Sequence, residues 1–202
     1  MNILITGGAG FIGAHLCRQL LKQENRIVCV DNFELGSRNN VKDILKNPHF
    51  SLIEGDASQI DFLDSIMAQN ETEMVFHMAA NSDIQKSAIS PEIDFVNTFS
   101  TTYSVLEAMR RNQIKKLFFA STSAVYGEKT GCMLSENTGD LSPISYYGGA
   151  KFASEAFISS YSYMNDFDVT IFRFPNVIGP GLTHGVIFDF IRKLKSDSTK
   201  LE

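Results

Sequence analysis

The chain has 202 residues, 44% hydrophobic and 20% charged, which suits one domain of ordinary size or slightly more with a substantial core. Its 18 basic and 23 acidic side chains leave a formal net charge of -5. That argues against a nucleic-acid surface, because counterion release needs clustered Lys and Arg, and no apolar run reaches the ~18 residues of a membrane span.

The chain opens with NILIT (2–6), a short apolar run followed by glycines, which reads as a buried parallel strand. Residues 11–23 follow with helical spacing, placing Ile12, Leu16, Leu20 and Leu21 on one side. RIVCVD (26–31) is a second strand and FSLIEGD (50–56) a third, with a helix at 59–69. EMVFHMAA (73–80) is the fourth strand. Residues 91–112 start after a proline and are periodic through Phe95, Phe99, Leu106 and Met109. KKLFFAS (115–121) is the fifth strand, 146–164 a helix, DVTIFRF (168–174) the sixth strand and 186–196 a last helix. Strands alternating with helices predict an α/β fold of Rossmann type, a doubly wound parallel sheet with helices on both faces, over residues 1–202. The irregular piece at 127–145 follows a strand's carboxyl end, where open α/β sheets place their ligands.

Cys17, Cys29 and Cys132 have no metal-like spacing, and His15, His49, His77 and His184 are scattered, so no metal site is expected. Cys17 and Cys29 stand in apolar segments and predict buried free thiols. The first strand leaves no room for a signal peptide, and a reducing cytoplasm is the expected location.

ITGGAGFIG (5–13) places Gly7, Gly10 and Gly13 between a strand and a helix, the context a dinucleotide-binding loop requires. Gly7 allows the tight turn, Gly10 lets the backbone approach a pyrophosphate, and Gly13 lets the helix pack closely. The helix N-terminus adds free N–H groups and partial positive charge. Asp31 ends the second strand 18 residues after Gly13. Its carboxylate can accept from an adenosine ribose and would repel a 2′-phosphate, favouring NAD over NADP. Arg38 in the next loop could soften that preference. Asp56, with Ala57 beside it, is a candidate for the adenine edge; a turn-forming Asp is the alternative.

These residues resemble the extended short-chain dehydrogenase/reductase family, the NAD-dependent nucleotide-sugar epimerases and dehydratases. The matching pieces are TGGAGFIG (6–13), VDN (30–32), GD (55–56), HMAA (77–80), Asn97, STSAVYG (121–127), YGGAK (147–151) and RFPNVIGP (173–180), in family order over essentially the whole chain. The resemblance implies a pyrophosphate on the glycine loop with Phe11 and Ile12 at its centre. It implies Asp31 and Asn32 at the ribose, and Ala79, Ala80 and Asn97 along the cofactor. It places Pro175 at the nicotinamide, Asn176 at the nucleotide-sugar substrate, and the whole in a homodimer. Apolar residues on more than one face of 91–112 and 146–164, including Phe152, Phe157 and Tyr161, suit a dimer or deep burial within one chain. The chain departs from the family at Met78, Ala150 and Pro175. Such enzymes also run on through a small C-terminal substrate domain, which is expected to be truncated or absent after Glu202, where KLE (200–202) could begin a strand.

In such enzymes a sugar carbinol is oxidised and its proton passes to a base. A free tyrosine has a pKa of about 10, and bringing it to neutrality requires about 4 kcal/mol of differential stabilisation. A nearby ammonium favours the phenolate. Tyr147 stands four residues before Lys151, on the same helix face, whereas Tyr146 stands five before it, about 140° off. Tyr147 and Lys151 are therefore the catalytic candidates, and both would also contact the cofactor. Ser145 reads as the helix cap. The resemblance gives Thr122 a hydrogen bond to the reacting oxygen and Ser123 a substrate contact. Family dehydratases carry an Asp-Glu pair where Ser123 and Ala124 stand, so a 4,6-dehydratase is disfavoured. The expected activity is NAD-dependent 4-epimerisation of a UDP- or dTDP-sugar. A decarboxylase, a reductase, a non-catalytic NAD-binding module and a fragment that only binds cofactor are the alternatives.

Overall fold

A computed structural model describes residues 1–82, 84–131, 133–182 and 185–198. Six strands, β1 (Asn2–Thr6), β2 (Arg26–Asp31), β3 (Phe50–Glu54), β4 (Met74–His77), β5 (Lys116–Thr122) and β6 (Asp168–Phe174), form one parallel sheet in the order β3-β2-β1-β4-β5-β6. Its helices are α1 (Phe11–Leu21), α2 (Ile60–Gln69), α3 (Ile84–Ile89), α4 (Glu92–Asp94), α5 (Thr101–Arg111), α6 (Tyr146–Asn165) and α7 (Val186–Ser196). The strand order reverses direction between β1 and β4, which opens a crevice at the carboxyl ends of the strands.

Strand alternation sends side chains to two separate cores. On one face Leu4, Val28, Val75, Leu117 and Phe119 pack with Leu63 and Met67 of α2, Leu106 and Met109 of α5, and Ile158 of α6. On the other Ile3, Ile5, Ile27 and Cys29 pack with Ala14 and Cys17 of α1. Both faces are covered, which is why these strands read as apolar runs without polar alternation.

The predicted elements are present, with differences that have physical causes. The third and fourth strands are shorter than expected, because Gly55–Asp56 and Met78–Ala80 turn away from the sheet towards the crevice. The helix predicted at 91–112 is broken into α4, a π-helical turn at Phe95–Ser100, and α5. The wider turn rotates the preceding residues off the core face, so Leu106 and Met109 are buried while Phe95 is 58% exposed. Helix α3, and the 3-10 turns at Arg38–Val41 and Ser123–Tyr126, were not legible from periodicity. The KLE segment lies outside the described residues. None of the described helices is long and apolar enough to cross a membrane.

Leu106 is fully buried between α2, α6 and the sheet. Leu106→Ala is expected to cost about 2–5 kcal/mol, read as a lower urea midpoint at unchanged m value.

Candidate active site

The crevice is a cleft of about 780 Å³. Gly7, Gly10, Phe11, Ile12 and Gly13 line one wall, and Asp31, Asn32, Asp56 and Ala57 line the end beyond β2 and β3. Ala79, Ala80, Asn97, Thr122, Ser123, Tyr147, Lys151, Pro175 and Asn176 complete it. Every site residue singled out from the sequence therefore reaches this one cleft.

The glycine loop is tight for identifiable reasons. Gly7 has φ +68°, and a Cβ there would meet the Ala79 backbone N at 2.6 Å. A Cβ on Gly13 would stand 2.3 Å from the Gly7 carbonyl oxygen, so α1 could not start so close to the loop. Gly10 has only the Gly7 oxygen nearby, at 3.2 Å, and leaves the backbone open to the cleft. This cradle fits a dinucleotide pyrophosphate at a helix N-terminus. Behind it, Cys17 and Cys29 are buried free thiols.

At the far end, Asp31 is more occupied than its sequence position suggests. Its Oδ2 accepts from Ala9 N and its Oδ1 from Phe33 N, both at 2.9 Å. It therefore fixes the loop as well as facing the cleft; burial raises its pKa while these N–H bonds oppose the rise. Arg38 is engaged with Glu54 at 2.7 Å, lies over the Phe33 ring and does not line the cleft. Asp56 Oδ1 accepts from Ser58 N in a local turn, consistent with the turn-forming alternative. Asn97 lines the cleft, but its amide donates to Glu34 Oε2 at 3.1 Å.

At the chemical end, Ser145 Oγ caps α6 by accepting from Gly148 N at 3.1 Å. This start sets the register: Tyr147 and Lys151 turn into the cleft, while Tyr146 is 56% exposed. Gly148 allows contact with the turn after β5, since a Cβ would lie 2.9 Å from the Ala124 carbonyl oxygen. Gly149 has no such neighbour, so only one of the paired glycines is explained by close approach. Thr122 Oγ1 accepts from Ala124 N at 3.2 Å and lies near enough to Tyr147 for its hydroxyl to favour the phenolate.

The electrostatics differ from the simplest expectation. In the chain alone burial raises the Tyr147 pKa, and the neighbouring Thr122 hydroxyl opposes that rise. Lys151 is fully buried; desolvation brings it down to about 7, opposed by Asp94 and Glu155. Its Nζ donates to the Ala120 carbonyl at 2.5 Å and lies over the Phe119 ring.

Several supporting residues escaped sequence reasoning. Glu155, one turn beyond Lys151, accepts from Ser121 Oγ and pairs with Arg173 at 2.8 Å. Arg173 also donates to Tyr126 OH at 3.2 Å. This ties α6 to β5 and β6; the Lys-x-x-x-Glu spacing was its only sequence signal. His77, fully buried, joins β1 to α5. Thr102 Oγ1 donates to the Thr98 carbonyl, so it accepts from His77 Nε2–H, and His77 Nδ1 accepts from Thr6 Oγ1 at 2.7 Å. No group of three or more His, Cys, Asp or Glu poised to hold a metal exists among the described residues.

Two outcomes follow from this geometry. Gly13→Ala should weaken NAD binding at least about tenfold and destabilise the fold by about 1–3 kcal/mol, measured by calorimetry and urea unfolding. Burial holds His77 neutral, with its pKa lowered to about 3. The unfolded chain takes up that proton near pH 6.5, so stability is lost as pH falls below that value. The slope is at most about 1.4 kcal/mol per pH unit. Urea unfolding between pH 6.5 and 5 should show this slope in the wild type and a flatter one in His77→Gln.

The model of the NAD dependent epimerase/dehydratase family matches residues 3–201. UDP-arabinose 4-epimerase 1 of Arabidopsis thaliana is 35% identical over 182 residues, 88% of this chain and 43% of that protein. The structure of the Thermus thermophilus UDP-glucose 4-epimerase in complex with NAD aligns with a TM-score of 0.88 at 31% identity, over 97% of this chain and 63% of that one. The structure of DesIV, a dTDP-glucose 4,6-dehydratase from Streptomyces venezuelae with NAD bound, aligns with a TM-score of 0.90 at 26% identity, over 97% and 62%. The chain thus spans less than two thirds of the relatives it matches. With its glycine loop, its Tyr147–Lys151 pair and a family match over nearly its full length, the chain belongs to the NAD-dependent epimerase/dehydratase family.

Proposed function

We propose that this chain forms the NAD-binding part of a nucleotide-sugar 4-epimerase that acts on a UDP- or dTDP-sugar. The observation that carries the reading is the convergence of Tyr147, Lys151 and Thr122 on the cleft that begins at the glycine loop. The 4-epimerase relatives support it.

Gly7, Gly10, Phe11, Ile12 and Gly13 hold the pyrophosphate, and Asp31 with Asn32 takes the adenosine ribose. Asp56 and Ala57 sit at the adenine end, and Ala79, Ala80, Asn97 and Pro175 line the path to the nicotinamide. Asp31 favours NAD over NADP, and the engagement of Arg38 with Glu54 supports that preference. When bound, NAD supplies a reversible hydride acceptor and, in its oxidised form, a positive charge beside the phenol. Tyr147 Oη takes the proton from the sugar 4-hydroxyl as that carbon is oxidised to a ketone. Thr122 Oγ1 shares a hydrogen bond with the same oxygen, and Lys151 holds the ribose hydroxyls and favours the phenolate. Ser123 and Asn176 contact the sugar and its diphosphate. With the cofactor bound, its chemistry would allow reduction of the keto sugar from the opposite face, inverting carbon 4, and Tyr147 would return the proton.

A dehydratase has the support of the DesIV fold match. Ser123 and Ala124 oppose it: a methyl side chain cannot transfer the proton that elimination of water requires. The exposed Tyr103 on α5 and Phe157 and Met164 on α6 support a homodimer through these helices. Free thiols at Cys17 and Cys29 suit a reducing cytoplasm.

Tyr147→Phe removes the phenolic proton acceptor and little else. Turnover of UDP-glucose or UDP-arabinose should fall by about 10²–10⁴-fold with NAD affinity kept within about threefold; unchanged turnover would overturn the mechanism.

A further inference from the structure

Asp94, in α4, is 1% exposed. Its Oδ1 accepts from Asn81 Nδ2 at 2.8 Å, and its Oδ2 has no hydrogen-bond partner. It is the one buried side-chain oxygen or nitrogen so stranded among the described residues. No Lys, Arg or His forms an ion pair with it among the described residues. A buried carboxylate in this state is unfavourable unless a charge of opposite sign compensates it.

The site holds a cation in the complementary state. Lys151 is 2% exposed and forms no contact ion pair among the described residues either. Of the two carboxylates that act on it, Glu155 is already neutralised by the Arg173 fork. Asp94 is not. Helices α4 and α6 pack together, so the two uncompensated charges lie within one buried region. Asn81, itself 3% exposed and lining the cleft, fixes the carboxylate by also donating to Ser87 Oγ.

We infer that Asp94 is a positioning residue whose buried carboxylate is the counter-charge of the Lys151 ammonium. The inference rests on the proposed roles of Tyr147 and Lys151, and it assigns Asp94 the task of keeping that lysine charged inside the protein. The titratable groups whose charges couple to Lys151 are Glu155 from α6, His77 from β4 and Asp94 from α4, with Tyr147 one turn before it on its own helix. His77 is neutral, and Glu155 is spoken for. Asn81 bonds Asp94 and ties it to Ser87 on α3, while Tyr147 and Lys151 on α6 feel its charge. Because the carboxylate acts on both members of the pair in the same direction, it raises the proton affinity of the phenol as well as that of the amine. Asp94 thus opposes the loss of the Lys151 proton that burial favours, and adds to the rise that burial imposes on Tyr147.

The test reads Lys151 directly, in NAD-loaded protein labelled at lysine Cε with ¹³C, with Lys151→Arg identifying the resonance. Asp94→Asn should lower the Lys151 titration midpoint by at least about one pH unit, a tenfold change in its proton affinity. A midpoint unmoved in folded Asp94→Asn overturns the inference, whatever happens to turnover. Should that variant not fold, the wild type labelled at aspartate Cγ carries the test: the Asp94 resonance should follow the Lys151 titration, and one blind to it also overturns the inference. Failure of the epimerase reading is separate, because it would appear as undiminished turnover in Tyr147→Phe.

Discussion

The structure is organised around one demanding constraint, a lysine whose charge is kept inside the protein. Removing an ammonium from water is costly, and burial brings Lys151 down to about 7 even with two carboxylates opposing the fall. The surroundings offset part of that cost with the Ala120 carbonyl, the Phe119 ring face and the carboxylates of Asp94 and Glu155. The partners come from three elements, so α4, α6 and β5 must hold their relative positions for the lysine to remain charged. The Glu155–Arg173 fork extends that requirement to β6. The sheet edge and the chemical end of the cleft are therefore one mechanical unit.

The opposite end works by a different principle. Here backbone rather than charge makes the site: Gly7 turns where no side chain fits, and Gly13 lets α1 begin against the loop. Asp31 links the two roles. It accepts from Ala9 N and Phe33 N, so it shapes the loop that would hold a cofactor while it also lines the cleft. Replacing it would therefore disturb loop geometry along with any ribose contact, and the two effects would have to be separated.

The strands, most helices, the glycine loop and the Tyr147–Lys151 pair were legible in the sequence, because apolar runs, glycine spacing and the four-residue Tyr–Lys interval are local patterns. What was not legible depends on neighbours distant in sequence. Asp94 looks like an ordinary helix-start acid, and only folding shows it buried without a cation. His77 looks like one of four scattered histidines, yet it bridges Thr6 and Thr102. The π-helical turn at Phe95–Ser100 does not alter the apolar spacing enough to be seen, but it turns Phe95 outward and carries Asn97 to the cleft. The direction of the Tyr147 shift also runs against the sequence expectation, since proximity to Lys151 is visible in sequence whereas the depth of burial is not.

These points bear on why two adjacent tyrosines have such different surroundings. Ser145 fixes where α6 begins, and one residue of difference in register decides which ring meets Thr122 and which meets solvent. A tyrosine in the inner position carries a desolvation penalty that disfavours its own phenolate. That same penalty makes its ionisation responsive to any charge admitted to the cleft, because electrostatic interactions strengthen where water is excluded. A surface phenol in the Tyr146 position would be screened from such a charge. Burial of Tyr147 is thus a handicap in the chain alone and the source of its sensitivity in a loaded one, and the helix cap is what places it there.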